Sequence, residues 1–284
     1  MDEQSRQVDL PYFDWLLKEL GTGGTSAIED IAGRNVHWGY WEQPQSAETS
    51  IEAISEATDE LTWQLLREVE PLSGKDILDV GCGFGGTVSL INQHYKGVSL
   101  TGLNIDPRQL EVARRNVAAL PGNRVEFREG NACKLPFEPN SFDTVLAVEC
   151  IFHFPSRNDF FREVSRVLKP GGKLVLSDFV LRLRWLPYTV ALFLWNKKPL
   201  VEMYGSHIKL SCRAHYKHLA KKHGLRWLKM RDITEHTLPT YEAIEKYADT
   251  WKTQEPIIRA ANRPLARASR SGALAYEIFA LEKM

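Results

Sequence analysis

The stretch ILDVGCGFGGT, Ile77 to Thr87, decides how the chain is read. An apolar strand ending at Asp79 passes into a glycine loop that opens a helix, and glycines let a backbone approach a bound ligand closely. Gly81, Gly83 and Gly86 satisfy GxGxxG, a pattern shared with dinucleotide-binding proteins. Asp79 separates the possibilities, because a carboxylate two residues before the first glycine repels a pyrophosphate and attracts an ammonium group. Outward from this loop the chain alternates. Strand KDILDV precedes a helix from about Thr87 to His94, then strand VSLTGLNI and a helix from Pro107 to Ala119. Strands RVEFRE, FDTVLAVE and KLVLSDF follow, the last two bracketing a helix from about Asn158 to Leu168 that ends at Lys169-Pro170-Gly171-Gly172. Such alternation marks βαβ units on a parallel sheet.

Beyond Asp178 come an aromatic-rich region to about Gly205, a basic helix from Cys212 to His223, strand GLRWLKMRDI, a helical region and a last strand near LAYEIFAL. Before the sheet, helical patterns cover Leu10 to Leu20 and Ile51 to Val69. The expected class is therefore α/β: a doubly wound, seven-stranded, mostly parallel sheet, with N-terminal helices and a helical lid after the fifth strand. Residues 1–70 read as a helical cap and residues 71–284 as the cofactor-binding domain, with a lid insertion at about 181–212.

Length and composition bound the partners. The 284 residues, 43% hydrophobic, suit one decorated α/β domain. Lys+Arg and Asp+Glu each total 36, so no net field draws the chain onto nucleic acid or an acidic membrane. Cys82, Cys133, Cys150 and Cys212 lack CxxC spacing, which points to a reduced, cytoplasmic chain with no metal site. The polar start MDEQSRQVDL offers no signal peptide. The apolar run Trp185 to Trp195 is about half the ~20 residues that a membrane-spanning helix needs, and it contains Pro187. Its expected place is inside the fold or over a pocket, without integral membrane association.

Four motifs in order resemble the class I S-adenosylmethionine-dependent methyltransferases, whose sheet is Rossmann-like, over about Asn35 to Asp178. The similarity is to the small-molecule branch that modifies ubiquinone and tocopherol precursors, sugars and polyketides. The resemblance implies S-adenosyl-L-methionine as cofactor, with its amino-acid end held by Asp79, Gly81, Cys82 and Gly83. Asn104 stands where the family usually carries a ribose-binding acid. The segment GLNIDPRQ looks like the variant of cyclopropane fatty-acid and related enzymes, in which Asn104, beside Ile105, shares the ribose with Gln109. Asp106 reads as the N-cap before Pro107. Asn131 and Ala132, in GNACKLPF, take the adenine position, and Asn131 alone would equally suit a turn residue bonding its own backbone.

The fourth motif, VECIFHFPSRNDFFREVSRVLKPGGKLVLSDF, carries the catalytic candidates. His153 lies beyond the end of a strand, where open α/β sheets bind ligands, and could take a proton from a substrate hydroxyl. Asp178 is expected beside it as orienter or base, and Glu149 as a contact to substrate or cofactor. Some relatives carry two successive histidines here, whereas this chain has Phe152-His153. Glu149-Cys150-Ile151-Phe152 is unlike the tetrad of nucleobase methyltransferases, so a nucleic-acid substrate is not expected. In NVHWGYWE, Trp38, Tyr40 or Trp41 could face the sulfonium, with Tyr40 assigned to the cofactor, or could staple the N-terminal helices to the core. His37 is a second base candidate. The aromatics of Leu181 to Gly205 suit a pocket lid or a structural cover, and the basic stretch Arg213 to Arg231 suits a solvated face. The expected function is methyl transfer to a small, largely apolar metabolite at a hydroxyl, ahead of carbon or nitrogen. A non-methylating cyclisation catalyst and a nicotinamide oxidoreductase are the other readings. Acceptor, pathway and oligomeric state stay open.

Overall fold

The computed structural model describes residues 11–21, 35–206, 209–251 and 255–284. Its centre is a seven-stranded sheet formed by β1 (Asp76–Val80), β2 (Ser99–Asn104), β3 (Arg124–Glu129), β4 (Phe142–Val148), β5 (Leu168–Leu181), β6 (Leu225–Asp232) and β7 (Leu274–Lys283), in the order β3-β2-β1-β4-β5-β7-β6. The first five strands are parallel, and β7 runs antiparallel to both β5 and β6. The chain winds from β1 outward to β3 and returns to place β4 on the other side of β1. The crevice between β1 and β4, at their carboxyl ends, is thus the switch point where such sheets bind ligands.

The described α-helices of eight or more residues are α1 (Pro11–Gly21), α2 (Ile51–Leu66), α3 (Gly86–His94), α4 (Pro107–Asn116), α5 (Arg157–Val167), α6 (Leu186–Trp195), α7 (Lys197–Tyr204), α8 (Arg213–Lys222), α9 (Pro239–Tyr247) and α10 (Glu255–Arg270). Of the first expected helix, residue 10 lies outside the described residues. Local signals set the starts. Ser50 accepts from Ala53 N, Asp106 accepts from Arg108 N with Pro107 at the first helical position, and Ser156 accepts from Asp159 N. Both sheet faces are covered. Leu61, Leu65, Ile91 and Leu110 pack on one, and Phe160, Phe161, Val164 and Tyr216 on the other. This is why β4 reads as an unbroken apolar run from Val145 to Val148.

The fifth strand departs from expectation. Asp178 does not end it, because pairing with β7 carries β5 on from Asp178↔Glu277 to Leu181↔Leu274. Side chains alternate across a strand, so Ser177 and Phe179 share one face and Asp178 turns to the other. There it is fully buried, 3.0 Å from the Arg157 guanidinium and hydrogen-bonded by the Tyr216 hydroxyl. Burial pushes the Asp178 carboxyl up, while Arg157 and Tyr216 hold it down. The expected pairing of Asp178 with His153 is not formed, and this carboxylate ties α5 and α8 to the sheet. Replacing Arg157 by methionine should strand the buried carboxylate and cost about 3–5 kcal/mol. Urea unfolding would show the loss, with cofactor affinity close to that of the parent.

Candidate active site

At the switch point, the glycine loop, the end of β2, the turn after β3 and the loop after β4 enclose a cavity of about 110 Å³. Asp79, Gly81, Cys82, Gly83, Asn104, Ile105, Gln109, Asn131 and Ala132 all line it. Gly81 is in the left-handed region at φ +74°, and a Cβ there would meet Cys150 Cβ at 2.7 Å. Any other residue would strain the backbone and push the loop off the sheet. The amides of Gly81 and Cys82 both donate to Leu103 O, at 2.7 and 3.1 Å, fixing the loop to β2.

Asp79 is buried with Oδ2 unpaired among the described residues, and burial raises its carboxyl to about 7. Unpaired buried carboxylates are costly, so this oxygen calls for a cationic ligand. Asn104 Nδ2 donates to Gln109 Oε1 at 3.0 Å, and Asn104 Oδ1 accepts from Asp106 N at 3.1 Å. The two amides therefore form one buried unit facing the cavity. Asn131 Oδ1 accepts from Cys133 N at 2.8 Å, a turn contact that leaves it a second lone pair.

Tyr40 is elsewhere. Its amide donates to Ala57 O and its ring stacks on His236 at 4.4 Å, so it lines neither this cavity nor the one beside it. The backbone bonds of Tyr40 and Trp41 to Ala57 and His236 hold that ring against α2 and the short helix Thr234–Thr237 that precedes α9. Trp38 and Trp41 are the aromatics that turn inward: Trp38 lies edge-on to Phe179 at 5.3 Å and to Tyr241 at 5.6 Å, and the buried Trp41 donates Nε1 to Glu48 O at 3.2 Å.

A second cavity of about 640 Å³ adjoins the first. The two share Tyr12, Asn35, Val36, His37 and Glu149, which marks their junction. Glu149, one residue past β4, has φ +49°, a left-handed conformation that a glutamate rarely adopts. Its amide donates to Ser177 Oγ at 3.1 Å. Its Oε2 accepts from Trp38 N at 2.9 Å and from the Tyr276 hydroxyl at 2.5 Å, and no bond to a described residue falls on Oε1. Burial pushes the Glu149 carboxyl up to about 8. His153, in the turn Ile151–His153, lines the smaller cavity only, and burial lowers its imidazole to about 3, so the ring is neutral. Its Nε2 lies 3.2 Å from the Tyr12 hydroxyl.

Tyr12 and Tyr276 were missed in the sequence. Tyr276 stands beside Glu277 as one of two polar residues in the apolar stretch Leu274–Leu281, whereas nothing in PYFDWLLKELG distinguishes Tyr12 from an amphipathic core residue. His37 joins the junction, but its Nδ1 is 2.9 Å from Trp38 O.

The family description "Methyltransferase domain" matches residues 78–176. Methyltransferase GfsG of Streptomyces halstedii is 34% identical over 239 residues, covering 82% of this chain and 81% of its own. An O-methyltransferase of Pyrenophora dematioidea is 34% identical over 223 residues, covering 78% and 79%. The chain belongs to the S-adenosylmethionine-dependent methyltransferases. The fold is also that of the geranyl diphosphate C-methyltransferase of Streptomyces coelicolor A3(2), solved with S-adenosyl-L-homocysteine. The TM-score is 0.71 at 17% identity, with 97% of this chain and all of that one covered.

S-adenosylmethionine is the cofactor of this methyltransferase, and the residues around the smaller cavity fit it. The unpaired Asp79 carboxylate suits its ammonium, the Asn104–Gln109 unit suits hydroxyls, and Asn131 with Ala132 suits an amine-bearing ring. A cation on Asp79 requires the ionised carboxylate, so binding should release a proton below pH 7. Affinity for S-adenosylhomocysteine, read by calorimetry, should rise from pH 6 to 8, by at most roughly tenfold per unit. Asp79→Asn should weaken binding and flatten that profile. In the free protein the raised carboxyl stabilises the fold below the unfolded value near 4, and this is lost as pH rises through about 7.

Proposed function

We propose that this methyltransferase alkylates a hydroxyl of a bulky, largely apolar metabolite, with Glu149 as the proton acceptor. The carrying observation is the junction: one strained glutamate borders both the cofactor cavity and an apolar chamber. Phe152, Phe179, Leu181, Phe193, Leu200 and Met203 wall that chamber, and its volume suits a drug-sized molecule. The relative named an O-methyltransferase supports oxygen as acceptor. The cofactor supplies an electrophilic methyl on a cationic sulfur. Trp38 N and Tyr276 hold Glu149 in place through Oε2, leaving Oε1 to receive the hydroxyl proton as the new carbon–oxygen bond replaces the methyl–sulfur bond and the thioether leaves.

A carboxyl near 8 is better matched to neutral pH than an imidazole near 3, because a base works best when its pKa lies near the operating pH. A bound cation nearby would also favour the ionised carboxylate. His153 then acts through Tyr12, positioning the junction and excluding water. Holding nucleophile and methyl together can supply ~7–11 kcal/mol, so the base is only part of the rate.

With hydroxylated macrolides, terpenoids and aromatic polyketides as acceptors, mass spectrometry should find a methyl ether. Glu149→Gln should lower kcat by about 10²–10⁴ with S-adenosylhomocysteine affinity changed little. His153→Ala should cost less. A methylated carbon or nitrogen, or full turnover in Glu149→Gln, would overturn the reading.

Asn262 gives the chamber a further polar point away from the junction. It is buried, its Nδ2 donates to Tyr241 O at 3.0 Å, and its Oδ1 is unpaired among the described residues. Asn262→Leu should raise KM for an acceptor that donates a hydrogen bond there, by about tenfold, at nearly constant kcat.

A further inference from the structure

The lid helix α6 is apolar on both sides. Its inner side buries Thr189 and Leu192 and presents Phe193 to the chamber. On its outer side Leu186, Val190 and Leu194 repeat at i, i+4 and i+8, which makes one stripe. These residues are 41%, 47% and 66% exposed, Leu183 just before the helix is 56% exposed, and Trp195 at its end is 87% exposed. A surface helix ordinarily turns charged residues outward, and contiguous exposed apolar side chains mark an interaction site.

Charge selects the partner. From Leu181 to Val201 there is no Asp or Glu, while Arg182 and Arg184 flank one end of α6 and Lys197 and Lys198 the other. Arg182 is taken by Asp232, and Lys198 meets Glu202 only at 3.8 Å. The chain is neutral overall, so this cationic frame is a local property of the lid. A ten-residue helix is about 15 Å long, half a bilayer core. No helix among the described residues is long and apolar enough to cross a membrane. An apolar stripe with a terminal tryptophan and cations at both ends fits the plane of a lipid headgroup layer.

We propose that α6 docks the enzyme on the surface of an anionic lipid bilayer, with Leu186, Val190, Leu194 and Trp195 in the headgroup region and Arg184 and Lys198 on anionic lipid. The same helix walls the acceptor chamber, so an apolar acceptor dissolved in the bilayer would lie one helix thickness from the site. Docking adds to the function proposed above and does not rest on it, since it is read without methyl transfer.

The test is co-sedimentation of the full chain with vesicles of phosphatidylcholine alone and with one third phosphatidylglycerol. The protein should pellet with the anionic vesicles and be released as salt rises. The pair Leu194→Glu with Trp195→Glu should lower the partition coefficient at least about tenfold. The pair Arg184→Glu with Lys198→Glu should remove the preference for anionic lipid. Both variants should keep their affinity for S-adenosylhomocysteine, which separates a lost surface from a lost fold. Protein that stays in solution with both vesicles, or binding that survives the Leu194 and Trp195 changes, would overturn the proposal. Light scattering that shows a pair of chains split by those changes, without vesicle binding, would assign the stripe to self-association instead.

Discussion

Asp79 is a carboxylate held in the core at the one point where the sheet reverses its winding, with an oxygen that no described residue satisfies. A fold accepts such a group only when the surrounding structure is strong enough to hold it, and here the covered parallel strands β1 and β4 do so. The left-handed glycine, the two amides tied to Leu103 O and the Asn104–Gln109 pair shape the cavity that Asp79 lines. An unpaired buried carboxylate suits a cation, and a ligand that binds only the native state adds to its stability.

Glu149 extends the same logic to the reaction. Its left-handed backbone, its Tyr276 and Trp38 N–H contacts and its burial are features of one residue placed where two cavities meet. Strain of this kind persists when neighbours over-determine it, and the neighbours here come from the N-terminal segment, β5 and the last strand. The junction is therefore assembled from distant parts of the chain. Asp178, one register position away from Ser177, serves the opposite face by locking α5 and α8 to the sheet.

The lid gives the acceptor side its character. Helices α6 and α7 and the aromatic Trp38 help to wall a chamber whose lining is mainly apolar, with polar groups at the cofactor junction, at Asn262 and Thr240, and at Lys197 and Lys209. Such a distribution recognises a large apolar body at modest cost and reserves directional contacts for the reacting group. Because α6 is apolar outward as well, the lid faces two apolar environments.

The sequence by itself determined the sheet, the glycine loop and the lining of the smaller cavity, because those features are local. Strand periodicity, helix caps and a glycine loop are written within ten or twenty residues, and nine of the ten positions expected to hold the cofactor come to one cavity for that reason. Tyr40 was the exception, since which rings of NVHWGYWE turn inward depends on backbone bonds to Ala57 and His236. The acceptor side was decided only by tertiary structure. The antiparallel pairing with β7 lengthened β5, turned Asp178 away from His153 and brought Tyr276 to Glu149, 127 positions apart in the chain. Pairing register between distant strands selects the face that each side chain occupies, and a one-residue change in it reverses the assignment.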